Sequence, residues 1–262
     1  MLNFRNTFTF FFFAIGLGNM LHFAFGLPVH GWYYLIITLL TLLAVIYGSS
    51  NIGSDFHFRV ICKSENTSKK QIAISFDDGV DPAQTPLILD ILANHKIRAS
   101  FFCIGKNCIG NEILVRRIVD EGHIIGNHTY SHSNWFDCYG FKRMLKEIKK
   151  TDQILEHIIG KKPFFFRPPY GVTNPALKKA LEMSGHLPIG WSIRSLDTQQ
   201  KRSSSDLFHR VTTRLQAGDI ILFHDRVKAI PEVLEKLIKF GTENGYTFVT
   251  IEKLINLSAY IE

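Results

Sequence analysis

The chain has 262 residues, with 30 Lys and Arg against 23 Asp and Glu, and its formal net charge is +7. This length suits one large domain or two small ones and is enough to bury a sizeable core. The basic residues form no run interleaved with aromatic side chains, which argues against a nucleic-acid partner.

Two apolar stretches, residues 7–27 and 32–49, open the chain. Each is close to the ~20 residues that cross ~30 Å of hydrocarbon. The "PVHG" between them predicts a tight turn, and an aromatic triplet follows it where an interfacial belt would lie, at Trp32, Tyr33 and Tyr34. Residues 1–54 are therefore predicted to be a membrane anchor of two transmembrane helices. A cleaved signal peptide in the first stretch, or one buried core helix, is the alternative.

A hairpin of two helices places both of its ends on one side of the membrane. The flanking basic residues favour the cytoplasmic side by the positive-inside rule: Arg5, Arg59, Lys63, Lys69 and Lys70. The short turn offers no contrasting charge, so the side on which the main domain lies stays open.

A polar linker over residues 55–70 leads to the main domain, predicted over 71–257. Short apolar runs alternate there with segments of helical spacing such as 85–95, 111–122 and 175–185. The apolar runs are 71–76, 98–104, 123–127, 163–167, 187–193, 219–224 and 246–250. Seven such units predict a parallel sheet covered on both faces, either a barrel or an open doubly wound sheet. In both folds, functional residues collect at the carboxyl ends of the strands.

Polar side chains follow several of the predicted strands. Asp77 and Asp78 end the first strand, and His128 and His132 follow the third with an i, i+4 spacing. Two imidazoles and one carboxylate are a common catalytic zinc set that leaves a position open for water. One aspartate would then ligate the metal while its neighbour faces the bound water. The alternatives are a turn with solvated carboxylates and a pair of ordinary surface or core histidines.

Five segments in this order, "SFDDG", "HTYSH", "RPPY", "WSIRSLDT" and "LFHD", resemble the motifs of the polysaccharide deacetylase family. This is the NodB-homology domain of carbohydrate esterase family four, and the resemblance covers residues ~70–255. It implies a distorted (β/α) barrel of about seven strands, here preceded by two transmembrane helices. It also implies one divalent metal ion, zinc in the first place, with cobalt, nickel or manganese as alternatives.

The resemblance assigns a role to each matching position. Asp77 would be the general base, oriented by Arg167, and His224 would be the acid that protonates the leaving amine. The metal ligands would be Asp78, His128 and His132.

The same resemblance suggests where the substrate binds. The backbone N–H of Tyr170 would hold the oxyanion, and Tyr170 and Pro168 would contact the substrate. Trp191 would be a wall of the acetyl pocket, or alternatively a core aromatic at a strand end.

The fourth motif departs from the family pattern. Arg194 stands where many members have an Asp, Asp197 is retained, and Thr198 replaces a Trp. The missing carboxylate would normally tune the catalytic histidine. We therefore expect His224 to have another partner or a lowered pKa.

The four cysteines lack the paired C-x-x-C spacing of a zinc site and are too few for a disulfide scaffold. They are predicted to be buried free thiols, although Cys103 and Cys108 could pair if their loop folds back.

Together these features predict a metal-dependent hydrolase that removes N-acetyl groups from amino sugars of a cell-envelope polysaccharide or peptidoglycan. The expected location is the bacterial cell membrane, with membrane lipid around the hairpin. One alternative is a deformylase or deacetylase of a lipid-linked amino sugar at the membrane face. Another, prompted by Arg194, is a catalytically silent glycan-binding protein. No motif indicates an oligomeric state.

Overall fold

The computed structural model describes residues 3–199 and 202–261. It begins with two long helices, α1 (Phe4–Phe25) and α2 (Gly31–Ser50). Tyr33 Oη donates a hydrogen bond to Ala14 O at 2.8 Å, and the Tyr33 ring lies against Gly18, so the two helices pack as a hairpin.

Both helices are long and apolar enough to cross a membrane. In the most apolar stretch of each helix, only 11% of the residues in α1 and 6% of those in α2 are buried. A core helix of a soluble protein would be mostly buried, so the core-helix alternative does not fit these residues.

The main domain is built on a curled parallel sheet. Its strands are β1 (Gln71–Gly79), β2 (Ser100–Cys103), β3 (Ile124–Asn127), β5 (Phe165–Phe166), β6 (Leu187–Pro188), β7 (Ile193–Arg194), β8 (Ile220–His224) and β9 (Thr247–Phe248). Seven of them lie side by side in the order β6-β5-β3-β2-β1-β8-β7, and β9 pairs with the start of β1. A separate antiparallel pair joins β4 (Lys162–Pro163) to β10 (Tyr260–Ile261). The sheet order and its curl confirm the distorted barrel.

The run predicted as one strand over 187–193 is two strands on opposite edges of the sheet. β6 pairs with β5 at one edge, and β7 pairs with β8 at the other. Residues 189–192 cross between them, which is possible only because the sheet curls until its edges come close. Ile61 bridges Ile189, and Lys63 bridges Asp219, so the segment before β1 lies along the same gap.

Helices cover the outside of the sheet. They are α3 (Thr85–Asn94), α4 (Gly105–Cys108), α5 (Glu112–Asp120), α6 (Phe141–Ile159), α7 (Pro175–Ser184), α8 (Ser204–Thr212), α9 (Ile230–Glu243) and α10 (Ile251–Ile255). The ends of α7 follow from its sequence. The Asn174 side chain accepts from Leu177 N at the start, and Pro175 occupies the first turn. Gly185, in the left-handed region, ends the helix.

The core lies between these helices and the sheet. Phe76 stacks between Phe101 and Phe223, with ring centroids 5.0 and 6.2 Å away, and all three are buried. This packing fixes the register of β2, β1 and β8, whose carboxyl ends therefore meet at one edge.

All four cysteines are free thiols. Cys103 and Cys108 are buried as predicted, but Cys138 is exposed and Cys62 is only partly buried, so the prediction was wrong for those two. The reason for Cys138 is local, since it ends a short surface turn, Phe136–Cys138, of which only the phenylalanine points into the core.

Candidate active site

Two adjacent carboxylates reach the same site because β1 is irregular at its end. Asp77 pairs with Phe102 and His224, but the register with β2 shifts between Asp77 and Gly79. Asp78 has a φ of 73°, in the left-handed region. Neighbouring residues of a regular strand point to opposite faces, and this bulge removes that alternation.

The bulge brings Asp78 to the two histidines of the loop that follows β3. Its Oδ1 lies 3.6 Å from His128 Nε2 and 3.4 Å from His132 Nε2. His128 Nδ1 lies 2.8 Å from the carbonyl of Arg167, so it must carry the proton, which leaves Nε2 free as a ligand. The three ligand atoms all lie within 4.8 Å of one another.

These residues fit a divalent metal ion. Two ligands each ~2.1 Å from a tetrahedral ion stand about 3.4 Å apart. The separations of Asp78 Oδ1 from His128 Nε2 and from His132 Nε2, 3.6 and 3.4 Å, are close to that value. Asp78 Oδ1 is buried, and within residues 3–199 and 202–261 it has no hydrogen-bond partner. A buried carboxylate oxygen without a donor is costly unless a cation faces it.

The protonation states also suit ligation. Burial and the neighbouring His128 lower the pKa of His132 to about 4, so its imidazole is neutral at pH 7. Burial alone would raise the pKa of Asp78, but its interactions with His128, His224 and His132 outweigh burial and lower it. The second oxygen of Asp78 accepts from Arg226 Nε at 2.9 Å.

Asp77 is held by a fully buried guanidinium. Arg167 Nη1 donates to Asp77 Oδ1 at 2.7 Å and to Ser75 Oγ at 2.8 Å, while Nη2 donates to Gly190 O at 2.8 Å. The other carboxylate oxygen of Asp77 lies 3.9 Å from His128 Nε2, on the side of the ligand cluster. One oxygen is therefore anchored while the other faces the site.

His224 is paired with Asp197. Asp197 Oδ1 lies 2.7 Å from His224 Nδ1, and its Oδ2 accepts from the backbone N–H of His224 at 2.7 Å. Burial alone would lower the pKa of His224, but the hydrogen bond and charge of Asp197 outweigh it and raise the pKa. Of the two expected alternatives, the structure has the first: His224 has another partner, the retained Asp197, and its pKa is raised rather than lowered.

Arg194 lies outside this pair. Its side chain is exposed, its carbonyl accepts from Arg210 Nε at 2.9 Å, and its guanidinium carbon is 5.8 Å from the Trp191 ring centre. The substitution in the fourth motif therefore leaves His224 with a carboxylate partner.

Tyr170 stands beside the ligand cluster on the loop after β5. Its φ is 57°, its side chain is 41% exposed, and its ring centre lies 4.8 Å from that of His132. Its hydroxyl donates to Asn134 Oδ1 at 2.8 Å. Pro168, two residues earlier, is buried, and Trp191 is half-buried with its ring over Gly171.

Sequence reasoning missed Asp225 and Arg226, which directly follow His224. Asp225 is buried, its Oδ2 accepts from Thr85 Oγ1 at 2.5 Å, and burial raises its pKa to about 7. A Cβ at Gly79 would clash with that Oδ2, so the glycine of "DDG" makes room for Asp225. The available signal was the Asp of "LFHD" itself.

The carboxyl edge of this parallel sheet gathers a carboxylate, two imidazoles, a buried Arg–Asp pair and a His–Asp pair. This is the arrangement of a hydrolase. The family model for polysaccharide deacetylase matches residues 64–188. The chain belongs to this family, since it is 35% identical to a peptidoglycan deacetylase and covers 70% of that protein's length.

That relative is the peptidoglycan-N-acetylglucosamine deacetylase of Bacillus cereus, 35% identical over 196 residues, or 73% of this chain and 70% of the relative. The solved structure of the Bc1960 peptidoglycan N-acetylglucosamine deacetylase superposes with a TM-score of 0.71 at 33% identity, covering 76% of this chain and 94% of that one. BA3943 of Bacillus anthracis, a pseudoenzyme of carbohydrate esterase family four, superposes with a TM-score of 0.69 at 26% identity, covering 74% of this chain and 68% of that one. The same fold thus occurs in a protein that is described as a pseudoenzyme.

Proposed function

We propose that this protein is a metal-dependent N-deacetylase that acts on N-acetylglucosamine-type residues of a cell-envelope polysaccharide or peptidoglycan, held at the membrane by its N-terminal hairpin. The observation that carries the proposal is the buried Asp78 Oδ1, which lies between two imidazole nitrogens and accepts no hydrogen bond from the part of the chain that the structure describes. Asp77 lies beside this cluster, and His224 is paired with Asp77 on the neighbouring strand β8, so two separate groups that can exchange a proton stand at this edge of the sheet.

Asp78, His128 and His132 would hold the metal, zinc or another divalent transition ion. When bound, it polarises the acetyl carbonyl and lowers the pKa of water. The site-facing oxygen of Asp77 accepts the proton of the attacking water, while Arg167 keeps the carboxylate oriented.

The remaining steps use groups on other strands. The backbone N–H of Tyr170 donates to the oxyanion that forms from the acetyl oxygen, a contact worth about 3 kcal/mol in other enzymes. His224 then gives its proton to the departing amine, and Asp197 holds the imidazole in the orientation for that transfer.

A lipid-linked amino sugar is the second candidate substrate. One observation favours it: the carbonyl of Ser49, at the end of helix α2, accepts from Thr173 N on the loop of Tyr170 at 2.9 Å. If the hairpin spans a membrane, the site lies close to the membrane surface.

The catalytic proposal and the substrate are tested together by acetate release. Full-length protein in detergent is assayed on N-acetylglucosamine oligomers, on peptidoglycan and on a lipid-linked N-acetyl amino sugar. We expect metal-loaded protein to release acetate and leave a free amine on at least one of them, and the relative rates identify the substrate. Metal-loaded protein that releases no acyl group from any of the three would favour the alternative of a catalytically silent glycan-binding protein.

A further inference from the structure

The end of helix α2 is bonded to the loop that carries Tyr170. Besides the bond from Thr173 N to Ser49 O, the Ser49 hydroxyl lies 2.8 Å from His57 Nε2. Thr173 is only 2% exposed, so this junction is shielded from water. The hairpin and the loop that carries Tyr170 therefore share a buried contact.

Ile52, two residues beyond α2, packs against two glycines of the site. A Cβ at Gly171 would lie 3.5 Å from Ile52 Cβ, and one at Gly190 would lie 3.1 Å from Ile52 Cδ1. Gly171 follows Tyr170, and the carbonyl of Gly190 accepts from the guanidinium of Arg167. The Ile52 side chain, which is 6% exposed, thus packs against Gly171, the neighbour of Tyr170, and against Gly190, the partner of Arg167.

The supported loop has an unfavourable backbone. Tyr170 has a φ of 57°, and Gly171 has a φ of 71°. A residue other than glycine in the left-handed region is strained and persists only where its surroundings hold it. The Trp191 ring and Ile52 both lie beside Gly171, and the bond to Ser49 holds Thr173.

We propose that Ile52 and the end of α2 position the Tyr170–Thr173 loop, so that the hairpin supports the oxyanion contact in addition to tethering the domain. Ile52 precedes residues 64–188, which the family model matches. The kinetic part of this inference rests on the proposed deacetylase function, whereas the structural part does not.

The test compares two identical substitutions in the full-length protein. Ile52→Ala removes the support, and Ile46→Ala is the matched control because Ile46 lies in α2 and is 54% exposed. Small displacements of a catalytic group cost up to ~100-fold in rate. We expect I52A to lower kcat about 10- to 100-fold with KM within about twofold, because an oxyanion contact is made only in the transition state. I46A should match the wild type.

Amide hydrogen exchange supplies a readout independent of activity. In I52A, the amides of residues 170–173 should exchange faster while those of β1 and β8 do not change. Equal kcat for I52A and I46A, or exchange that rises evenly over the whole domain, would overturn the inference.

Ile52→Val separates support from folding. If I52A does not fold, I52V is expected to lower kcat about two- to fivefold, and an unchanged kcat and exchange rate in I52V would overturn the inference. If the wild type releases no acetate, the proposed function fails and hydrogen exchange alone decides this point.

Discussion

Asp77→Asn is expected to lower kcat for acetate release by about 1,000-fold with little change in KM. General base catalysis contributes roughly 10²- to 10⁴-fold, and the amide cannot accept the proton of the attacking water. The amide oxygen can still accept the hydrogen bond that Arg167 now donates to Asp77 at 2.7 Å. The buried guanidinium loses its counter-charge, so the folded fraction of D77N is measured together with its rate. Initial rates of acetate release at saturating substrate measure the effect.

The control is Asp120→Asn, the same substitution at an exposed position. Metal content is measured in parallel. A D77N rate within fivefold of D120N would contradict the role of Asp77 as base. Loss of the metal from D77N would show instead that Asp77 is a ligand.

Asp197→Asn is expected to lower kcat at pH 7 by about 100-fold and to move the alkaline limb of the pH profile to lower pH. The carboxylate of Asp197 raises the pKa of His224 against the opposing effect of burial. His224 can act as an acid only below its pKa, so activity is lost as the pH rises through that value. An amide at this position removes the charge, lowers the pKa and reduces the protonated fraction at neutral pH. The measurement is kcat against pH.

Arg194→Ala is the control for this experiment. Arg194 is exposed and lies outside the His224–Asp197 pair, so the alkaline limb should not move. A limb that moves in R194A and stays in place in D197N would contradict the pairing.

The sequence allowed us to predict that the functional residues gather at the carboxyl ends of the strands. Continuous apolar runs indicate parallel strands, and parallel strands connected through helices end at one edge. Asp77, His128 and His224 each follow such a run, and the structure brings them to that edge. The ligand spacing of 3.4–3.6 Å then depends on the bulge at Asp78, which no periodicity shows.

Other contacts depend on how distant segments meet. Leu196 has a φ of 62°, and this reversal of the loop precedes Asp197, which pairs with His224 27 residues later. The crossing at 189–192 looks like an uninterrupted strand in sequence because its residues are as apolar as those of its neighbours. The contact of Ile52 with Gly171 likewise depends on where the hairpin ends against the folded domain.

The central claim is that Asp78, His128 and His132 hold the metal on which deacetylation depends. It is tested most directly by measuring bound metal per chain and acetate release together, in wild-type protein before and after chelation and in Asp78→Ala. We expect about one metal ion per chain, loss of activity on chelation, recovery on adding a divalent metal, and neither metal nor activity in D78A. Acetate release that persists in chelated D78A would contradict it.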